Sequence, residues 1–264
     1  MILWVDGEHD APENMRRDSR LLAAAEEGAE PVLRLFRFAP HGITLGASQL
    51  PERELDLERC SAEGIAWAVR PTGGRAIFHA QEWTYALAAP LDDPEWGGSQ
   101  GEAYGRVSRL IVASLLRLGL PVSLARAGQR PSATEPRPAG APAAPCFASA
   151  ARHEVVLDGR KLVGSAQRRT RTALLQQGSL LLGDGHLRLA DYLALPAARR
   201  AAAREALALA TRHAGRWLGE GAALETWADA LRLDLPLDVR RHDGASGAFL
   251  LTLGNRTSYT ARVT

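Results

Sequence analysis

The feature that most constrains the fold is the dipeptide Asp158-Gly159, which separates two runs of strand-forming residues. His153 to Leu157 precede it, and Arg160 to Gln167 follow it. Asp-Gly is among the strongest short-range hairpin signals, because both central residues of a type I′ turn need a positive φ that these residue types tolerate. The sequence therefore predicts an antiparallel hairpin that carries Lys161 at the start of its second strand.

Hydrophobic periodicity predicts the other elements of the first two thirds of the chain. The predicted helices are 14–27 and 104–118, and the predicted strands are 32–38, 43–46, 65–70 and 174–182. The break at Pro40 suggests that 32–38 and 43–46 form a hairpin-like pair. Strands and helices mixed in this order predict an α/β (α+β) fold, with a mixed β-sheet flanked by helices.

The chain is long enough for one large domain, which we predict over 1–190. Within it, 127–145 holds five prolines and almost no large apolar side chains, which predicts a mobile Pro-rich loop. Residues 191–264 are expected to form a helical segment, broken at Pro196 and Gly215, and a small C-terminal hairpin on the same domain.

Charge, hydropathy and cysteine content exclude several function classes. A net charge of +2, from 32 basic and 30 acidic residues, is too balanced for a dedicated nucleic-acid binder. No apolar run reaches the roughly 18 residues that a membrane span needs, and the N-terminal residues do not resemble a signal peptide, so we expect a cytoplasmic protein with no membrane association. Two cysteines supply neither a disulfide framework nor a zinc site built from thiolates, and no metal site is predicted.

The first candidate site is the Gly-rich turn Arg70-Pro71-Thr72-Gly73-Gly74-Arg75, with His79 shortly after it. Adjacent glycines let backbone N–H groups approach the oxygens or acyl chain of a ligand. The same dipeptide also suits a tight hairpin turn that binds nothing, and a single histidine is more often structural than catalytic. Alone, this segment favours the structural interpretation.

The second candidate is Cys146, directly after the Pro-rich segment, together with Lys161. A thiol becomes a useful acyl acceptor when a nearby cation stabilises its thiolate, and Lys161 is a candidate for that cation. In the alternative interpretation Cys146 is a small buried hydrophobe and Lys161 a solvated lysine at a strand edge. Cys60, on a predicted helix, has no such setting and is expected to be structural.

Several of these motifs, in this order, resemble the biotin/lipoate protein ligase and lipoyl/octanoyl transferase superfamily. The matching segments are Asn14-Met15 with Asp18, Arg34-Leu35-Phe36, 70–79 with Glu82 and Thr84-Tyr85, 159–167, and 175–181. The match covers roughly 1–185. Cys146-Phe147, Glu154 and Gly159-Arg160-Lys161 most resemble the octanoyltransferases of the LipM type.

This resemblance implies a ligase-like catalytic domain that moves an octanoyl or lipoyl group from acyl carrier protein, through a Cys146 thioester, to a lysine of a lipoyl-domain protein. Such acceptors include the glycine cleavage H protein and dehydrogenase E2 subunits. Lys161 would be the electrostatic partner of Cys146. The implied substrate-binding residues are Arg70, Thr72, Gly73, Gly74, Arg75, His79, Tyr85, Gly164, Ser165, Ala166, Gln177 and Gly178. Phe78, Tyr85 and Leu162 would line an acyl channel.

Transfer of this kind needs no cofactor. The alternatives are an ATP-dependent lipoate ligase, which would use ATP and Mg, an amidotransferase between lipoyl proteins, and a non-catalytic biotin- or lipoate-binding module. The chain departs from the family pattern at three positions, where Ala80 and Ala148 replace acidic residues and Gln177 replaces a common histidine. These departures bear on the choice of substrate more than on the nucleophile.

Overall fold

The computed structural model describes residues 1–125 and 154–244 and contains two β-sheets with helices packed between and around them. The larger sheet has eight strands in the order β11-β1-β2-β6-β10-β9-β8-β7, and the smaller has three in the order β4-β3-β5. Their bounds are β1 (Ile2–His9), β2 (Val32–Phe38), β3 (Gly42–Leu45), β4 (Ala66–Val69), β5 (Ile77–His79), β6 (Glu82–Pro90), β7 (Val122–Leu124), β8 (Val155–Leu157), β9 (Arg160–Arg169), β10 (Ala173–Leu181) and β11 (Arg240–Asp243).

Both sheets contain parallel and antiparallel pairs, so the predicted mixed sheet is confirmed. In the larger sheet, β11, β1 and β2 run parallel, and every pair from β2 to β7 is antiparallel. The predicted hairpin joins β8 to β9, and Asp158 and Gly159 have φ of 52° and 72°, as a type I′ turn requires.

Seven α-helices and one 3₁₀ helix occur in the described part of the chain. They are α1 (Ala11–Glu26), α2 (Pro51–Glu54), α3 (Leu57–Ala62), α4 (Gln100–Arg117), α5 (Ala197–Ala210), α6 (Gly215–Leu218), α7 (Leu224–Arg232) and the 3₁₀ helix Asp184–Tyr192. None of them combines the length and the apolar character that a membrane span requires.

Helices α1 and α4 begin three and four residues earlier than periodicity predicts, because polar side chains cap them. Asp10 accepts a hydrogen bond from the Glu13 backbone N–H at the start of α1. Ser99 and Glu102 form a capping box at the start of α4. Each cap satisfies backbone groups that the first turn of a helix leaves without partners.

Three hydrophobic clusters hold these layers together. One packs α4 and α7 against one face of the large sheet, and a second packs α1 against the other face. The third lies between the small sheet, the 3₁₀ helix and α5. Because α1 contacts β6 and β10 as well as β4, it sits where the two sheets come together.

Two predictions about the connections are wrong. Residues 32–38 and 43–46 do not pair, because β2 joins the large sheet between β1 and β6 whereas β3 lies at the centre of the small sheet. The Gly-Gly segment is not a hairpin turn either, since β3 separates β4 from β5. The predicted Pro-rich loop and C-terminal hairpin lie outside the described residues, and so does Cys146.

Candidate active site

The two sheets and α1 enclose a cavity with about 370 Å³ of empty volume, part of it open to solvent. Its apolar wall is formed by Met15, Phe36, Phe38 and Ile77. Eight of the predicted substrate-binding residues line it, namely Arg70, Thr72, His79, Gly164, Ser165, Ala166, Gln177 and Gly178. The sequence motifs therefore converge on one cavity.

Arg70 holds the Gly-rich turn in shape. Its guanidinium donates to the carbonyl oxygen of Gly73 from Nε at 3.2 Å and from Nη2 at 2.9 Å, and Nη2 also donates to the carbonyl of Arg75 at 2.7 Å. Gly46 packs against this turn, where a Cβ atom would lie only 2.1 Å from the Gly74 carbonyl oxygen. Arg70 thus reaches the cavity wall mainly as a support for the turn.

Gln177 connects the cavity to a buried charge network. Thr72 Oγ1 donates to Gln177 Oε1 at 2.7 Å, and Gln177 Nε2 donates to Asp18 Oδ2 at 2.5 Å. Asp18 and Asp6 both accept hydrogen bonds from Arg34, which is fully buried. The amide of Gln177 can donate to Asp18 and accept from Thr72 at once, which accounts for its position here.

The two carboxylates of this network have opposite pKa shifts. Burial alone raises the pKa of each. For Asp6, the hydrogen bond with His9 and the charges of Arg34 and Arg17 outweigh burial, so its pKa is lowered. For Asp18, burial outweighs the favourable contacts with Arg34 and Gln177, so its pKa is raised.

His79 lies in the cavity wall with both ring nitrogens engaged. Nδ1 contacts Glu82 Oε1, and Nε2 lies 2.7 Å from Thr44 Oγ1. The Phe38 ring stacks on the imidazole with 3.7 Å between centroids. Glu82 is buried behind His79 and also accepts a hydrogen bond from Thr84 Oγ1 at 2.9 Å. The orientation of the imidazole is therefore defined from three sides.

Lys161 is a buried residue of an interior strand, so its interpretation as a solvated edge lysine is wrong. Its side chain is 3% exposed and donates from Nζ to Glu154 Oε1 at 2.5 Å. β9 lies between β8 and β10. Lys161 is not among the described residues that line the cavity, and at about 3.3 Å per residue it lies roughly 10 Å along the strand from Gly164.

Three predicted channel residues do not line the cavity. For Phe78 and Tyr85 the reason is that neighbouring residues of a strand face opposite sides. Ile77 and His79 face the cavity, whereas Phe78 stacks on Tyr192 in the third cluster. Thr84 faces the cavity, whereas Tyr85 and Leu162 belong to the first cluster.

Tyr85 supports the cavity from behind. Its hydroxyl lies 2.8 Å from Ser165 Oγ and accepts from Gln176 Nε2 at 3.1 Å. Burial raises the pKa of Tyr85 to about 12. Tyr85 therefore positions Ser165 and does not contact the cavity itself.

Gly73, Gly74 and Arg75 belong to the Arg70 turn and are not among the described residues that line the cavity. Cys60 is buried in the third cluster, and burial raises the pKa of its thiol, in agreement with the structural interpretation. Thr44, Phe38, Ile77 and Ser179 line the cavity but were not predicted as site residues. Alternation along β2, β3, β5 and β10 is the sequence signal that could have indicated them.

The comparison with protein families gives a match to the family described as "Lipoyl protein ligase A/B catalytic domain" over residues 10–207. Among curated proteins, octanoyltransferase LipM of Kyrpidia tusciae is 38% identical over 177 residues, which are 67% of this chain and 64% of that protein. Octanoyltransferase LipM of Bacillus subtilis is 31% identical over 201 residues, which are 74% of this chain and 70% of that protein. The match thus spans less than two thirds of the first of these relatives.

Solved structures support the fold. A bipartite lipoate protein ligase from Thermoplasma acidophilum superposes with a TM-score of 0.68 and 19% identity, over 96% of this chain and 89% of that one. Lipoate-protein ligase A bound with ATP superposes with a TM-score of 0.64 and 20% identity, over 96% of this chain and 91% of that one. The family match extends from the N-terminal cap of α1 to α5 and includes every described residue that lines the cavity. The chain belongs to the lipoyl protein ligase A/B catalytic domain family.

Proposed function

We propose that this protein is an octanoyltransferase that moves an octanoyl group from acyl carrier protein to a lysine of a lipoyl-domain protein. The observation that carries the proposal is the 38% identity to an octanoyltransferase of the LipM type, over a segment of 177 residues. The apolar wall of the cavity, formed by Met15, Phe36, Phe38 and Ile77, suits a medium-length acyl chain. Each buried methylene of that chain would contribute about 0.8 kcal/mol.

In the proposed reaction, the Cys146 thiolate attacks the carbonyl carbon of the thioester and the carrier thiol leaves. The acyl group is then held as a thioester on Cys146. The amine of the acceptor lysine attacks this thioester, an amide forms and the Cys146 thiol is restored. Backbone N–H groups near Gly73-Gly74 or Cys146 would stabilise the oxyanion in both steps. No cofactor is needed, because each thioester supplies its own leaving group.

The Glu154–Lys161 pair supports the assigned role of Lys161. Both side chains are at least 96% buried, and a buried ammonium is stable only beside a matching anion. Glu154 therefore holds the side chain of Lys161 in a defined position. A fixed cation of this kind lowers the pKa of a neighbouring thiol, as a covalent role for Cys146 requires.

The purified protein tests this proposal when it is given octanoyl-carrier protein, or lipoate with ATP and Mg, each with an apo lipoyl domain. We expect octanoylation from the carrier protein, a covalent acyl-enzyme in the mass spectrum, and loss of both in Cys146→Ala and Lys161→Ala. Cys60→Ala is the matched control, because this buried thiol belongs to the third hydrophobic cluster and not to the described cavity wall, and the variant should retain activity.

Other results would identify the alternatives. Activity that requires ATP, releases pyrophosphate and tolerates Cys146→Ser would indicate lipoate ligation. Transfer from one lipoyl protein to another, with the same dependence on Cys146, would indicate an amidotransferase. Ligand binding without turnover would indicate a binding module.

A further inference from the structure

The second half of the proposed reaction needs a base. A lysine side chain has an ordinary pKa near 10.4, so the acceptor arrives as an ammonium and must lose a proton to attack. Among the described residues that line the cavity, only Arg70 and His79 carry titratable side chains. Arginine does not lose its proton in proteins. Lys161 Nζ donates to Glu154 Oε1, and its proposed role is the electrostatic one at Cys146.

Hydrogen-bond direction determines the tautomer of His79. The carboxylate of Glu82 can only accept, so Nδ1 of His79 carries the proton on that side. Arg70 Nη1 can only donate, and it lies 3.4 Å from Thr44 Oγ1. The single hydroxyl proton of Thr44 then points to Nε2 of His79, 2.7 Å away. In this tautomer, Nε2 of His79 presents a lone pair to a hydroxyl group in the cavity wall.

This arrangement has the three elements of an activated relay. Thr44 and His79 line the cavity, and Glu82 lies behind them, outside its described wall. Glu82 Oε1 also accepts from Thr84 Oγ1 at 2.9 Å and lies 3.4 Å from Ser179 Oγ, so the carboxylate is held in place. A hydroxyl, a base within hydrogen-bond reach and a third group that orients the base are the signature of a catalytic triad.

We propose that Thr44, His79 and Glu82 form a proton relay that deprotonates the acceptor lysine, an inference that rests on the proposed function. Thr44 Oγ1 takes a proton from the attacking nitrogen while its own proton passes to His79 Nε2. The C–N bond forms and the C–S bond breaks. The nitrogen loses its second proton to the leaving Cys146 thiolate, and His79 releases the first proton to solvent, so the relay ends as it began. Glu82 is a positioning residue that stabilises the imidazolium while it exists.

Measuring the two half-reactions separately distinguishes a role in proton transfer from a structural role. Acyl-enzyme formation is measured by intact-protein mass, and discharge of the isolated acyl-enzyme is measured with apo lipoyl domain or with hydroxylamine. Hydroxylamine is neutral at pH 7 and does not need the first proton removed. General-base catalysis is typically worth about 10²–10⁴-fold.

For Thr44→Val and His79→Gln, we expect discharge to the lipoyl domain to slow about 100-fold, with acyl-enzyme formation and hydroxylamine discharge changed less than about 3-fold. Glu82→Gln should likewise slow discharge to the lipoyl domain more than the other two rates. Thr44→Ser, which keeps the hydroxyl, should restore lysine transfer. His186→Gln is the matched control, because His186 makes a similar buried contact with Thr211, 3.0 Å away, and it should leave the ratio of the two discharge rates unchanged.

Three outcomes would overturn the relay. Thr44→Val could transfer to lysine at the wild-type rate, or all three measured rates could fall by the same factor in Thr44→Val and His79→Gln. Failure of Thr44→Ser to recover more activity than Thr44→Val would also contradict it. A wild-type protein that forms no acyl-enzyme contradicts the proposed function, and the relay with it.

Discussion

At the scale of single residues, Gly178 is the most sterically constrained position of the cavity wall. A Cβ atom there would lie 2.4 Å from Tyr85 Cε1 and 2.6 Å from Ser165 Oγ. Gly178→Ala should therefore displace Tyr85 and lower the free energy of unfolding by about 1–3 kcal/mol, the usual effect of overpacking. Denaturant unfolding measures the change. Gly101→Ala, where the added Cβ meets no atom within 4 Å, should not destabilise the protein.

The buried hydroxyl of Tyr85 should make stability depend on alkaline pH. In the folded protein its pKa is about 12, because burial opposes ionisation, against 10.0 for an ordinary tyrosine. Between pH 10 and 12 the unfolded chain therefore releases a proton that the folded chain retains, and the free energy of unfolding falls as pH rises. The free energy of unfolding of Tyr85→Phe should fall less steeply over this pH range. Equal slopes in the two proteins, measured by denaturant unfolding, would contradict the assignment.

How far the site could be predicted from the sequence depends on the kind of residue. Thr72, Gly164 and Gln177 belong to linear motifs, and the structure places them together at the cavity. Tyr85 and Phe78 belong to equally clear motifs but face away from it. Which side of a strand faces a cavity is set by sheet packing, and strand periodicity alone does not identify that side. The roles assigned to Cys146 and Lys161 stay predictions.

At the scale of elements, Arg34 joins three of them. Its side chain lies on β2 and donates to Asp6 on β1 at 2.7 Å and to Asp18 on α1 at 2.6 Å. Its Nη2 donates to Asn14 Oδ1, also on α1, at 2.6 Å. Since all these groups are buried, none of the carboxylates can replace a lost partner with water. Arg34 therefore helps to fix the register of α1 against the sheet, together with Arg17 of α1, whose Nη1 donates to Asp6 Oδ1 at 2.6 Å.

Arg34→Met should lower the free energy of unfolding by about 3–5 kcal/mol, because the buried carboxyl groups of Asp6 and Asp18 both lose a hydrogen-bonded cation and only Asp6 keeps another, Arg17, among the described residues. Arg117→Met is the matched control. It removes a similar two-point contact, with Asp234, at the surface, where solvent screens the pair, so the melting temperature should hardly change. Equal effects of the two substitutions would show that the Arg34 network is not a source of stability.

The elements themselves were predictable where local signals agree. The Asp158-Gly159 hairpin and the strand 32–38 are found where turn chemistry and alternation place them. β1, β6 and β11 were not predicted as strands. β6 has eight buried residues in a row, and such a strand lacks the alternation that identifies a half-buried one. The pairing of β11 with β1 joins residues about 240 positions apart, which no local pattern encodes.

At the scale of the whole molecule, the C-terminal segment contributes to the main core. Trp227 of α7 stacks on Trp83 of β6 with 5.4 Å between centroids and donates from Nε1 to Ser114 Oγ of α4 at 3.0 Å. β11 adds a parallel strand to the edge of the large sheet, next to β1. These contacts lie within the described residues 191–244, and they favour packing of this segment on the same domain as the cavity, in which case the two parts unfold together.

Trp227→Ala tests this prediction. Because Trp227 is fully buried, its truncation should lower the free energy of unfolding by about 3–5 kcal/mol. The variant should still unfold in a single transition, in which near-UV circular dichroism and hydrogen exchange in β6 and β10 change together. Trp217→Ala is the matched control, since that side chain is 36% exposed and should have little effect. A separate early transition confined to α7 and β11, with β6 and β10 still protected from exchange, would instead divide the chain into two units. The cavity would then be built by the N-terminal unit alone, and a protein lacking α7 and β11 would keep the acyl-transfer site intact.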